Sequence, residues 1–185
     1  VIYDLKYSGM RPSLEVTITA NMERVYRQFA VSGEAQVMFL RAGIDQAMER
    51  LVQVHGGLGD TQKALEIQTE LLNRAGTPEE KRDRTIELSR VQEDFVKDRR
   101  KAEATLDKAR KTWPQDGAVL RALAEFYRRG DETTALNVLL DRAANDARRA
   151  LGTGRFDAAL FEALATVAEL RGGTDAARVA NATLA

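Results

Sequence analysis

Cysteine is absent from this chain of 185 residues, and histidine occurs once. That excludes a disulfide framework, a thiol nucleophile and a cysteine metal site. Net charge is absent as well, 28 basic side chains standing against 28 acidic ones, so no overall field draws the chain onto nucleic acid or an anionic membrane. No apolar run approaches the roughly 18 residues of a spanning helix. Aromatic residues make up only 6% and fall mainly at core-like spacing, which argues against a stacking surface for single-stranded nucleic acid. What is present is ordinary globular material, 44% hydrophobic and 30% charged, enough for a buried core in one or two domains. The chain opens on Val1-Ile2-Tyr3 with neither an initiator methionine nor a basic-then-apolar leader, and reads as a processed form or a piece of something longer. Its 21 arginines, 7 lysines and 28 alanines resemble the usage of a high-GC bacterium. Cytoplasm and periplasm both remain open as the compartment.

Two regions differ in periodicity. Val1, Tyr3, Leu5 and Tyr7 alternate along one extended segment, and Leu14, Val16, Ile18 and Ala20 along another. With Ser8-Gly9-Met10-Arg11-Pro12 as turn chemistry between them, the reading is a β-hairpin. Met22, Val25, Tyr26 and Phe29 then take the helical period, with Asn21 as cap and Ser32-Gly33 as stop. Gln36 to Leu40 fit either a third strand or the start of the next helix. From Ile44 onward no strand pattern appears, and 23 of the alanines follow residue 60, so the remainder reads as helix upon helix. The expected division is therefore residues 1–43, a small α+β element, and residues 44–185, a helical domain.

Breaks carrying Gly, Pro or Asp at Gly56–Asp60, Ala75–Pro78, Trp113–Gly117, Arg129–Asp131, Gly152–Gly154 and Gly172–Thr174 divide that domain. The predicted helices span roughly 44–55, 61–74, 79–97, 99–112, 117–129, 132–151, 156–171 and 174–184, which makes antiparallel pairs. A frame recurs in the second helix of each pair, with a small residue at Ala64, Ala102, Ala135 and about Ala177, in steps of 38, 33 and about 41. Such steps suit a solenoid of helix pairs in which each unit leaves an apolar face for its neighbour to bury. Alanine allows the two helix axes to approach closely.

In the unit from about Thr85 to Asp116, Ala102, Leu106, Ala109 and Pro114 occupy the small, bulky, small and closing-proline positions. This pattern resembles the tetratricopeptide repeat (TPR). Val119, Leu123, Phe126, Gly130-Asp131, Ala135 and Leu139 follow it in the next unit; Met48, Leu51, Ala64 and Leu71 in the first; Phe161, Leu164, Val167 and Ala177 in the last. The resemblance implies a mostly α protein, a TPR-like α-solenoid of degenerate helix pairs that binds a partner segment on its concave surface.

The candidate sites are few. His55 has no nucleophile or metal partner at useful spacing and reads as a cap or surface residue. Carboxylates such as Glu66, Glu70, Glu93 and Asp94 are accompanied by arginine or lysine, as on a solvated helix face. Gly56-Gly57-Leu58-Gly59-Asp60 precedes a helix, but no Gly-Lys-Ser/Thr follows and no strand precedes it, so it reads as a turn. Trp113 beside Pro114 reads as a packed exit turn. The arginine pairs Arg99-Arg100, Arg128-Arg129 and Arg148-Arg149 would form, on one concave wall, a ladder for acidic side chains of a partner peptide. The expectation is a non-catalytic protein–protein scaffold or adaptor without metal or cofactor. The competing readings are a structural subunit of a surface assembly that adds the hairpin to a neighbour's sheet, and a ligand binder or enzyme with residues up to Leu40 as one pocket wall.

Overall fold

The computed structural model describes residues 33–172, with side chains from residue 41 onward. The expected hairpin of Val1 to Ala20, the helix through Met22 and Phe29, and the last helix at 174–184 lie outside the described residues. The contacts divide the chain into two compact units, Val1–Met48 and Glu49–Ala185. The account below concerns the second.

The described residues are all helical. Seven helices follow in order: α1 (Gly33–Gly57), α2 (Thr61–Arg74), α3 (Pro78–Asp94), α4 (Arg99–Thr112), α5 (Gly117–Arg129), α6 (Thr133–Gly152) and α7 (Ala158–Leu170). α1 begins well before the expected Ile44, so Gln36–Leu40 are helical, and it continues through residue 43, the expected domain edge. Gly43 does not stop it. Nothing lies within 4 Å of a Cβ built there, and a helical glycine costs only about 1 kcal/mol against alanine.

Side-chain caps fix most helix starts. Asp60, Thr77, Asp98 and Asp116 accept from the backbone N–H of Lys63, Glu80, Lys101 and Val119 at 3.3, 3.1, 2.9 and 3.0 Å. Each such cap stabilises its helix by about 1 kcal/mol. Thr77 forms a full capping box with Glu80, and Pro78 supplies the pre-set first helical residue.

One turn geometry recurs where α1, α3 and α5 hand over to the next helix. Gly59, Lys97 and Asp131 are left-handed, with φ of 83°, 60° and 55°, and each directly precedes the N-cap of the following helix. The cap's own N–H closes the turn: Asp60 N–H donates to His55 C=O, Asp98 to Gln92 and Glu132 to Tyr127, each at 2.9 Å. At Lys97 this geometry also ends α3 at Asp94, three residues before the expected 97, because Phe95 and Val96 both donate to the Val91 carbonyl.

Helices adjacent in sequence pack as neighbours from α2 to α7, and α5 also touches α3 and α7. α5 consequently carries the core. Val119, Leu120, Ala122, Leu123, Phe126 and Tyr127 are buried with Ile86 of α3, Leu106 and Ala109 of α4, Leu139 of α6 and Ala163 of α7. Leu140, Ala144 and Val167 form a second cluster between α6 and α7. Ala64 and Ala102, expected at close helix crossings, are fully buried. Ala135 is partly buried against the main core, as is Trp113 at the exit of α4. No helix among the described residues is long and apolar enough to cross a membrane.

Candidate partner-binding surface

The six arginines expected to line one wall occupy different places. Arg99, the first residue of α4, donates through Nε and Nη2 to Glu132 Oε1 at 3.1 and 2.8 Å, through Nη1 to Glu93, and through Nη2 to the Phe126 carbonyl at 2.8 Å. Its guanidinium carbon stands 3.9 Å over the Phe126 ring centroid. The pose depends on Gly130, where a Cβ would overlap the guanidinium. Arg129 places Nη2 2.6 Å from Glu93 Oε2 and Nη1 3.3 Å from Asp94 Oδ1. The Glu93 approach is a contact of opposite charges in which Oε2 accepts no hydrogen bond. Arg99 and Arg129 therefore meet around one carboxylate. Arg128 points elsewhere, donating to the Leu170 carbonyl at the end of α7. Arg100, Arg148 and Arg149 are exposed and engage no other described side chain.

Five long-range ion pairs share nearly one sequence offset, while Arg171–Asp141 and Arg121–Glu169 span 30 and 48 residues. Arg82 pairs with Asp116 at 2.9 Å, 34 residues on, and Arg90 with Glu125 at 3.5 Å, 35 residues on. Arg84 reaches Glu49, 35 residues back. Arg99 to Glu132 spans 33 residues and Arg129 to Asp94 spans 35. The bond Arg82 donates to Asp116, and next the one it donates to Asp83, raise its guanidinium above its usual range although burial opposes this. Such surface pairs contribute at most about 1 kcal/mol each; their significance is geometric, since one joins α1 to α3, three join α3 to α5 or its N-cap, and one joins α4 to the N-cap of α6.

Between α1 and α3 lies an open groove of about 430 Å³. Buried Val52 and Val91 form its floor. One wall is the Glu49–Arg84 pair, and Glu87, held by Arg90 at 2.7 Å, stands on the α3 side. Gln68 of α2 is buried and donates to the Arg84 carbonyl at 3.4 Å. Exposed Arg50 and Gln53 complete the rim, and Arg50 engages no other described side chain. Such a groove admits a small apolar side chain onto the valine floor while Arg50 and Gln53 face a carboxylate or a peptide backbone. None of the six candidate arginines lines it. The sequence reading missed Arg50, although a signal existed: Gln46, Ala47, Gln53 and Val54, its helix neighbours three and four positions away, offer it no carboxylate.

His55 sits at the α1–α2 turn, with Nδ1 3.2 Å from Asp60 Oδ2. Of the expected turn Gly56–Asp60, Gly56 and Gly57 end α1 and Leu58–Asp60 form the turn itself. Among the described residues no three His, Asp or Glu side chains gather as a metal site. Of the large apolar residues, Val54, Leu58, Val138 and Phe156 are exposed, on α1, the turn after it, α6 and the α6–α7 loop. Comparison with protein-family models, with curated proteins and with solved structures finds no match.

Proposed function

We propose that the chain is a non-catalytic protein–protein interaction scaffold or adaptor, and that residues 44–185 form a TPR-like α-solenoid of degenerate antiparallel helix pairs. The observation that carries this reading is that five long-range ion pairs among the described residues share an offset of 33 to 35 residues, while Arg171–Asp141 and Arg121–Glu169, at 30 and 48, stand outside it. In a stack of equivalent helix pairs, one contact repeats between neighbours at the length of one unit, about 34 residues in a tetratricopeptide array. The recurring left-handed turn before the N-cap of α2, α4 and α6 supports the same reading.

The receiving surface is the groove between α1 and α3. Its walls are held by ion pairs within the chain, so a partner segment docks without much ordering of the groove, which preserves affinity. A segment presenting a small apolar side chain next to a carboxylate fits the valine floor and Arg50. Arg100, Arg148 and Arg149 are the candidate arginines whose charge remains available to an acidic partner.

The test places a photo-crosslinking amino acid at Gln53 of the full chain in a lysate of the source cell. A partner should be captured through a defined segment, and Arg50→Glu should reduce the yield by about tenfold, the effect of reversing one docking charge. Equal capture from Gln53 with and without Arg50→Glu would remove the groove from the proposal.

A further inference from the structure

We infer that the outer face of α4 is a docking surface for a carboxylate-rich segment of another protein. α4 contains six basic residues and two acidic ones, and the fold sorts them. Glu103 accepts from the Tyr127 hydroxyl at 3.1 Å, Asp107 accepts from Arg110 at 3.4 Å, and Arg99 is engaged with α5 and Glu132. Left outside are Arg100, Lys101, Lys108 and Lys111, joined by Lys97 from the preceding turn. All five are exposed and engage no other described side chain. Lys101, Lys108 and Lys111 follow helical spacing along one face about 15 Å long at roughly 1.5 Å per residue, and Lys97, in the left-handed turn, adds a cation before its start. Exposed Ala104 lies among them. Asp98, at the N-cap, accepts from Lys101 N–H at 2.9 Å.

Helix stability accounts for only part of this face. Lys111 lies in the last turn, where a cation suits the helix dipole, but Arg100 and Lys101 in the first turn oppose it, α4 has no acidic residue there, and Lys108 and Lys111, three positions apart, repel. Composition does not account for it. The chain has 21 arginines and only 7 lysines, yet four of those lysines stand here, while arginine makes the forked contacts inside. Lysine is a point charge on a flexible stem, suited to a partner met by charge without fixed geometry. The face has no aromatic side chain for bases and no bulky apolar one to enter a bilayer. A chain that is neutral as a whole also meets an extended polyanion with compensating negative charge elsewhere. A short acidic protein segment, no longer than α4, meets only this face. α4 does not line the α1–α3 groove, so the inference stands apart from the groove.

The experiment measures fluorescence anisotropy of a labelled Glu/Ala peptide of about 15 residues, matched to the length of α4, against the full chain at low and high salt. The parent should bind, with affinity falling as salt rises. Lys101→Glu/Lys108→Glu/Lys111→Glu should weaken binding at least about tenfold, and Lys63→Glu/Lys81→Glu/Arg142→Glu, the same change in net charge on α2, α3 and α6, by no more than about twofold. If circular dichroism shows that the α4 triple loses helix, the corresponding lysine-to-glutamine triple replaces it. The inference is overturned by a parent that does not bind the peptide, by equal losses in the two triples, or by tighter binding of phosphatidylserine vesicles or of a short DNA duplex through the same lysines.

Discussion

The connection between α3 and α4 holds its two neighbours by opposite chemistries. Backward, the Phe95 ring lies over Gly56 in the last turn of α1; forward, the Arg99 guanidinium lies over Gly130 at the end of α5. Both contacts require a missing side chain, since a Cβ at either glycine would overlap the group above it. They differ in what else they need. The ring needs only to be covered, whereas the guanidinium needs Glu93, Glu132 and the Phe126 carbonyl placed around it. An apolar junction tolerates small shifts, and a charged one specifies a single geometry, because a partly buried charge that loses a partner is left poorly solvated.

The largest effect is expected where the charged junction rests on the core. Phe126 is 1% exposed, lies under Arg99, and meets Tyr127 edge-on with ring centroids 5.6 Å apart. Phe126→Ala should cost about 3–5 kcal/mol in urea unfolding, and Phe95→Ala clearly less, because Phe95 is only partly buried. Equal losses would break the distinction between the two junctions.

Next come the glycines. Gly56→Ala forces a methyl group into the Phe95 ring, a cost of about 1–3 kcal/mol for overpacking offset by about 1 kcal/mol of improved helix propensity. A net loss of up to about 2 kcal/mol is expected. Gly130→Ala should cost a similar amount by displacing the guanidinium from the Phe126 carbonyl. In a double-mutant cycle with Arg99→Met its effect should shrink by about 1 kcal/mol, and a cycle showing no coupling would remove Gly130 from the junction.

Arg99→Met isolates the charge itself. It keeps most of the side-chain volume and loses both carboxylates. With the arginine side chain 34% exposed, a loss of about 1–2 kcal/mol is expected after allowance for screening. That loss should diminish in about 1 M salt, while the cost of Phe95→Leu should not. Salt-independent losses at both positions would mean that the forward junction is held by packing.

Much of the helical order was legible because it is written locally. Asp60, Thr77, Asp98 and Asp116 are capping residues in capping positions, and helix bounds from residue 61 onward follow them closely. Ala64 and Ala102 are buried as the recurring frame requires. The start of α1 was not legible, since Gln36–Leu40 fit a strand and a helix alike, and Gly43, in open space, interrupts nothing. The end of α3 was not legible either. Lys97 takes the left-handed conformation at a cost of about 1–2 kcal/mol, a choice imposed by the turn and invisible in a lysine. The arginines show the deeper reason. Arg99 and Arg129 read as surface pairs because their carboxylates lie in other elements: Arg99 meets Glu132 33 residues on and Arg129 meets Asp94 35 residues back, close to the step between Ala102 and Ala135, and no local pattern brings both to Glu93. The groove is still less legible, since Val52, Arg50 and Val91 share no local pattern.

The smallest effect concerns a hydrogen bond donated by a neutral hydroxyl beside the charged junction. The Tyr127 hydroxyl donates to Glu103 Oε1 at 3.1 Å. Burial first, and then this bond to Glu103, push the phenol from its ordinary 10.0 up to about 12. The fold thus favours the neutral form. Its contribution to stability is whole below pH 10, the unfolded value, and is lost as pH rises from there through about 12. Tyr127→Phe should cost about 1 kcal/mol or less at neutral pH, the net value of one hydrogen bond, and should flatten the alkaline decline in unfolding free energy. If parent and variant decline equally across that window, the alkaline sensitivity belongs to other groups, and the α4–α5 contact is held by packing around Phe126 and Leu106 with no measurable share from the hydroxyl.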